Sequence, residues 1–216
     1  MQLSDRILFI DAEALVLDKP AGLPVDAPRR GGDSIAGRVH ELKCGFRRPP
    51  TAMHRLDTDT SGCLLFARTA KARADFQQLF ETRAVEKYYI AVVAGEIAQG
   101  QGVIDLPLAK VSSEQAGWKM VVDAHGLEAT TRWRRLLVRD GSTLVEFRPL
   151  TGRTHQIRAH ARAAFGRGIV GDRVYGVPGG PMLLHASRLV VPRERKETID
   201  VTAPLPDTFG EWRNAA

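Results

Sequence analysis

The chain is poor in cysteine. Cys44 and Cys63 are the only two among 216 residues. Two thiols make no disulfide framework, and neither their number nor their spacing fits a zinc site. Cys63 opens the apolar run Cys63-Leu64-Leu65-Phe66-Ala67 and reads as a small core residue. A reducing, cytoplasmic setting is therefore expected. Long hydrophobic runs are missing too. The runs Ile7–Ile10 and Ala14–Leu17 are separated by Asp11 and Glu13, well short of a signal-peptide core. No stretch approaches the length that crosses a bilayer, so no membrane partner is expected. Several signatures are also absent: a Walker loop, GxGxxG, GxSxG, HExxH and CxxC. Their absence removes most support for a nucleotide cofactor, a serine hydrolase or a zinc hydrolase. No cofactor and no metal are expected.

Positive charge is present instead. The formal net charge is +6. From Arg148 to Arg173 there are six arginines and one acid, Asp172, and the stretch Arg29–Arg48 is also basic. Arginine suits planar, bidentate contact with phosphate. A polyanionic partner such as RNA is consistent with this distribution, although charge alone does not require one.

The apolar pattern predicts an α+β fold on a mixed, mostly antiparallel sheet with a few helices, because strands cluster without a βαβ rhythm. Ile7–Ile10 and Ala14–Leu17 read as a hairpin ending in a Lys19-Pro20-Ala21-Gly22 turn. Residues 27–52 read as an exposed loop, with one helix capped by Ser34. Ala72, Phe76, Leu79 and Phe80 predict a helix over 71–83 with Thr69 as N-cap. Strands are expected over 88–93, 128–138, 142–148, 183–191 and 198–203, with Asp140-Gly141 as a hairpin turn. Loops and irregular strands are expected over 96–126. A helix over 154–165 would be closed by Gly166.

Some residues in this frame could carry chemistry. His54-Arg55-Leu56-Asp57-Thr58-Asp59-Thr60-Ser61-Gly62 leads into the buried run at Cys63. Asp57 at that lip could be a nucleophile, a base, a metal ligand or only a turn-organising residue. His155, Arg158 and Arg162 fall on one helical face, which could be functional or simply solvated. His155 and His160 are five apart and do not align as two metal ligands on a helix. Tyr89 and Leu184 would ordinarily be core residues.

The segments taken together resemble the RluA-type pseudouridine synthases. The resemblance rests on Lys19-Pro20-x-Gly22-Leu23, His54-Arg55-Leu56-Asp57-x-x-Thr60-Ser61-Gly62 and Lys87-x-Tyr89-x-Ala91-x-Val93-x-Gly95. It continues through Pro149-Leu150-Thr151-Gly152-Arg153-Thr154-His155-Gln156-Ile157-Arg158-x-His160, Gly171-Asp172-x-x-Tyr175-Gly176 and Leu184-His185-Ala186. One departure is Arg167-Gly168-Ile169, where the family often has His-Pro-Ile. The resemblance implies the pseudouridine synthase fold, with two lobes around a central cleft and residues 1–216 as one catalytic domain. An accessory S4 domain is not expected, because the first strand begins by Ile7. The activity implied is isomerisation of a flipped-out uridine to pseudouridine in large-subunit rRNA, a tRNA anticodon stem-loop, or both, by a monomer. Asp57 would be the catalytic carboxylate, kept ionised by Arg158. Tyr89 would be catalytic too, stacking on the uracil with its hydroxyl available for proton handling; Leu184 would pack on the other side of the base, and Arg55, Arg153 and His155 would bind the substrate. The competing reading is a non-catalytic RNA-binding protein.

Overall fold

The computed structural model describes residues 2–113 and 117–215. It divides into two compact units, residues 1–87 with 186–205, and residues 88–185 with 206–216.

In the first unit, β1 (Ile7–Ile10) and β2 (Ala14–Lys19) form the expected hairpin. Asp11 shapes its turn, because Oδ1 accepts from the Glu13 and Ala14 amides at 2.8 Å each. β2 continues two residues beyond the apolar run and pairs antiparallel with β4 (Ser61–Ala67). Every residue of β4 is buried, as a central strand requires. The segment expected as loop contains α1 (Ile35–Arg38), capped by Ser34 Oγ accepting from the Gly37 amide. It also contains β3 (Thr51–Ala52), a two-residue strand on β4 that is too short to leave a sequence pattern. α2 (Ala70–Glu81) has its predicted cap, Thr69, whose hydroxyl accepts from the Ala72 amide at 3.1 Å. The helix stops two residues short of the expected end because Arg83 turns left-handed at φ 58°. This lets the Ala84 amide reach the Leu79 carbonyl. Ala72 and Phe76 pack with Val16, Leu65 and Val191, and Leu79 and Phe80 flank them.

β5 (Glu86–Ala94) enters the second unit at Tyr88, where it pairs antiparallel with β10 (Ser142–Pro149). β10 pairs in turn with β9 (Thr130–Arg139), and β9 with β6 (Gln101–Asp105). The β9–β10 turn is as read from Asp140-Gly141, with φ 50° and 66°. The stretch expected to hold loops and irregular strands also contains a two-stranded ribbon, β7 (Leu108–Ser113) and β8 (Gly117–Val122). Residues 114–116 of that stretch lie outside the described residues. α3 (Gln156–Phe165) closes on Gly166 at φ 69°. Leu108, Met120, Ala129, Ala159 and Tyr175 form the small core under the ribbon.

β11 (Leu184–Val191) returns to the first unit at Ala186, where it pairs with β12 (Ile199–Thr202). Gly62 sits at φ 105°, and a Cβ there would lie 2.2 Å from the Ala186 carbonyl oxygen. Only glycine permits β4 and β11 to approach so closely at this point.

Candidate active site

The first unit joins two of the sequence segments into one arrangement. Asp57 lies in a turn closed by its own carbonyl, which accepts from the Thr60 amide at 3.1 Å. Leu56 and Thr60 on either side of it are buried, so the turn is pinned at both ends. The next carbonyl, that of Thr58, accepts from the Gly22 amide at 2.9 Å and from Lys19 Nζ at 3.0 Å. Lys19 is fully buried and also donates to the carbonyls of Pro20 and Leu23. Burial pushes its ammonium down to about 8, while Asp59, Asp57 and Asp18 pull the other way. A buried cation with three carbonyl acceptors thus ties the Lys19–Leu23 turn to the peptide that follows Asp57. The sequence reading placed Lys19 in a turn motif and gave it no role. A charged residue ending an apolar strand is its only sequence signal.

Other polar groups of this unit have settled roles. His54 Nε2 accepts from the Leu65 amide at 3.0 Å, and burial holds the ring neutral, its pKa down to about 3. Burial pushes the Cys63 thiol up to about 12, which makes it inert. Arg55 is exposed and pairs with Asp26 at 2.9 Å, a contact that solvent screens.

In the second unit the arginine segment is held by Gln156. Its Oε1 accepts from the Thr151 hydroxyl and the Arg153 amide, and its Nε2 donates to the Thr130 carbonyl and Thr131 Oγ1. All four of the amide's bonds are made. His155 then occupies the N-cap position of α3, in the left-handed region at φ 52°. Arg153 Nε donates to the Glu128 carbonyl at 2.9 Å. Arg158 is buried, not solvated. It holds Asp172 bidentately, Nε to Oδ2 at 2.7 Å and Nη2 to Oδ1 at 2.8 Å. Asp172 Oδ1 also accepts from the Val174 and Tyr175 amides. Burial opposes the charge on Asp172, but Arg158 and these amides outweigh it and hold the carboxyl below its usual range.

His155 Nδ1 lies 3.0 Å from the Tyr175 hydroxyl, which accepts from the Met120 amide at 2.7 Å. Trp118 of β8 stacks on the His155 ring at 4.7 Å. His160 is structural, with its ring nitrogens on Thr131 Oγ1 and the Leu106 carbonyl. Tyr89 and Leu184 are buried. Of the expected site residues, Arg55 and Asp57 belong to the first unit, and Tyr89, Arg153, His155, Arg158 and Leu184 to the second. Gln156, Asp172 and Tyr175 lay within the recognised segments, but their partners could not be read from spacing.

Among the described residues, no three His, Cys, Asp or Glu side chains are grouped to hold a metal. Among the described residues, no helix is long and apolar enough to cross a membrane.

Residues 13–163 match the family model described as RNA pseudouridylate synthase. An uncharacterized RNA pseudouridine synthase of Zymomonas mobilis is 46% identical over 211 residues, covering 96% of each chain. The dual-specificity RNA pseudouridine synthase RluA of Yersinia pestis is 37% identical over 194 residues, 86% of this chain and 91% of that one. The ribosomal large subunit pseudouridine synthase D of Zymomonas mobilis is 35% identical over 180 residues, 79% of this chain and 56% of that one. Among solved structures, the human RNA pseudouridylate synthase domain containing 4 superposes with a TM-score of 0.80 at 28% identity, over 96% of this chain and 91% of that one. Sequence, segment order and fold agree, and the chain belongs to the RNA pseudouridylate synthase family, alongside its RluA-type members.

Proposed function

We propose that this protein isomerises particular uridines to pseudouridine in structured RNA, with Asp57 as the catalytic carboxylate. The N-glycosidic bond breaks, the uracil turns, and C5 bonds to C1′; the C5 hydrogen leaves to solvent as a proton and N1 takes one up, so composition is unchanged. The observation that carries the reading is the Asp57 turn itself. A carboxylate is held there by Lys19 and Gly22 through the Thr58 carbonyl, within the family's aspartate segment. Asp57 acts as nucleophile on the sugar or base, or assists departure of uracil and removes a sugar proton. The target uridine is flipped out, at a cost of a few kcal/mol that is least in a loop.

Arg158 keeps Asp57 ionised in this scheme. A neighbouring guanidinium favours the charged form of a carboxylate, and the bidentate Asp172 pair fixes the orientation of this one. Tyr89 stacks against the uracil with its hydroxyl available for proton handling, and Leu184 packs on the other side of the base. Arg55, Arg153 and His155 bind the RNA around it. The substrate is large-subunit rRNA, a tRNA anticodon stem-loop, or both. The Zymomonas relative is named for the ribosomal large subunit and the Yersinia relative for dual specificity on RNA, which supports an rRNA target and more than one kind of site. The protein is proposed to act as a cytoplasmic monomer, which light scattering would report as a single 23.7 kDa species.

The experiment is tritium release from transcripts of both RNA classes labelled at uridine C5. The purified protein is expected to release tritium from at least one of them, in step with a new carbodiimide stop at one or a few uridines. RNA binding without release from either class would favour the competing reading, a non-catalytic RNA-binding protein.

A further inference from the structure

A second basic feature lies in the first unit, apart from Asp57, Arg55 and Lys19. A cavity of about 390 Å³ is lined by Arg48, Arg68 and Arg73, together with Thr51, Thr69 and Gln77. Its volume falls within the ~300–1,000 Å³ of ligand-sized clefts. No carboxylate lines it. Arg48 and Arg73 are exposed, and among the described residues neither side chain makes a hydrogen bond or an ion pair. The nearby acid on the same helix, Asp75, is committed to Lys71 at 2.6 Å.

Arg68 differs from the other two. Its guanidinium donates to the carbonyls of Asp11, Lys43 and Cys44 and lies over the Phe46 ring at 3.9 Å. These partners are neutral, so they fix the position of the charge without cancelling it. They also bind the loop that carries Lys43, Arg47 and Arg48 to the cavity wall, and all three of these residues are exposed. The start of α2, which completes the wall, is the electropositive end of that helix and adds to the same sign.

We propose that this cavity is a backbone-phosphate subsite for the RNA substrate, engaging a segment away from the isomerised uridine. The strip of exposed cations beside it suits a polyanion better than a discrete small anion, because one phosphate would leave Lys43 and Arg47 unmatched. The subsite rests on the RNA-modifying reading for its ligand, but not on the identity of the catalytic residue. Arg48 and Arg73 supply mobile charge, and Arg68 supplies a charge fixed in place.

The test is the double variant Arg48→Gln/Arg73→Gln, compared with wild type on transcribed tRNA and large-subunit rRNA. Filter binding is measured across a KCl series, and tritium release on the same RNAs. The slope of log K against log salt is expected to fall in magnitude by about 1–2, from ~0.7–0.9 per lost phosphate contact. At low salt Kd and KM are expected to rise about tenfold with kcat unchanged. Arg48→Lys/Arg73→Lys should restore most of the slope. A Gln variant with the wild-type melting temperature and an unchanged slope on both RNAs would overturn the subsite. So would an effect confined to the thermal shift that inorganic phosphate produces, which would make the cavity a small-anion site. Wild-type protein that binds both RNAs but releases no tritium would refute the isomerase reading, while the slope comparison would still decide the subsite. Failure of the wild type to bind either RNA overturns both.

Discussion

Lys19 is the residue whose chemistry is least expected from its surroundings. An ammonium with no access to water costs several kcal/mol unless its hydrogens are taken up, and here three backbone carbonyls take them. Its pKa in the folded chain, about 8, lies below the ordinary lysine value of 10.5. Between these values the unfolded chain holds a proton that the folded chain has released, so stability gains from Lys19 as pH rises through that window. The gap corresponds to about 3 kcal/mol. Lys19→Met has no such ionisation. Its stability relative to wild type should therefore worsen from pH 8 to about 10.5, read by urea unfolding at a series of pH values. A difference that stays flat over this range would contradict the buried-ammonium account. The same substitution removes the lysine donor from three carbonyls and leaves the Gly22 amide as the remaining bond to the peptide after Asp57. None of this is legible in Lys19-Pro20-x-Gly22, where spacing shows a turn but not what the lysine reaches.

The elements were legible where their cause is local. Thr69 caps α2, Ser34 caps α1, and Asp140-Gly141 turns β9 into β10, each through bonds within a few residues. The ends that differ were decided at longer range or by strain. α2 stops early at a left-handed Arg83, a conformation that arginine seldom adopts and sequence therefore does not announce. β3 exists only because β4 offers it an edge. The arginine face of α3 was open between solvent and function. Arg158 is buried because Asp172, 14 residues further on, neutralises it. Gly62 shows the same division, since its place before an apolar strand suggests a turn, whereas its necessity comes from β11. Gly62→Ala would press a Cβ into the Ala186 backbone and force a left-handed φ on alanine. It should lower stability by about 3 kcal/mol. Thermal unfolding within a degree or two of wild type would contradict the close packing of β4 on β11.

For the whole molecule, charge and motif order carried more than composition. A net charge of +6 is compatible with RNA without naming it. The ordered segments gave the family, and the family model over 13–163 with a TM-score of 0.80 agrees. What the segments could not convey is how each is held: Asp57 by Lys19 and Gly22, Arg158 by Asp172, Arg153 by Gln156. Those partners are set by the folded chain, across separations of up to 39 residues. The central claim is that the Asp57 carboxylate performs the isomerisation. Asp57→Asn keeps the size of the side chain and removes its charge, so binding and fold should persist while chemistry fails. In single-turnover tritium release from the responsive RNA, the variant should be slower by about 10³-fold or more, with Kd for that RNA within about threefold of wild type. Turnover close to the wild-type rate would contradict the account at its centre.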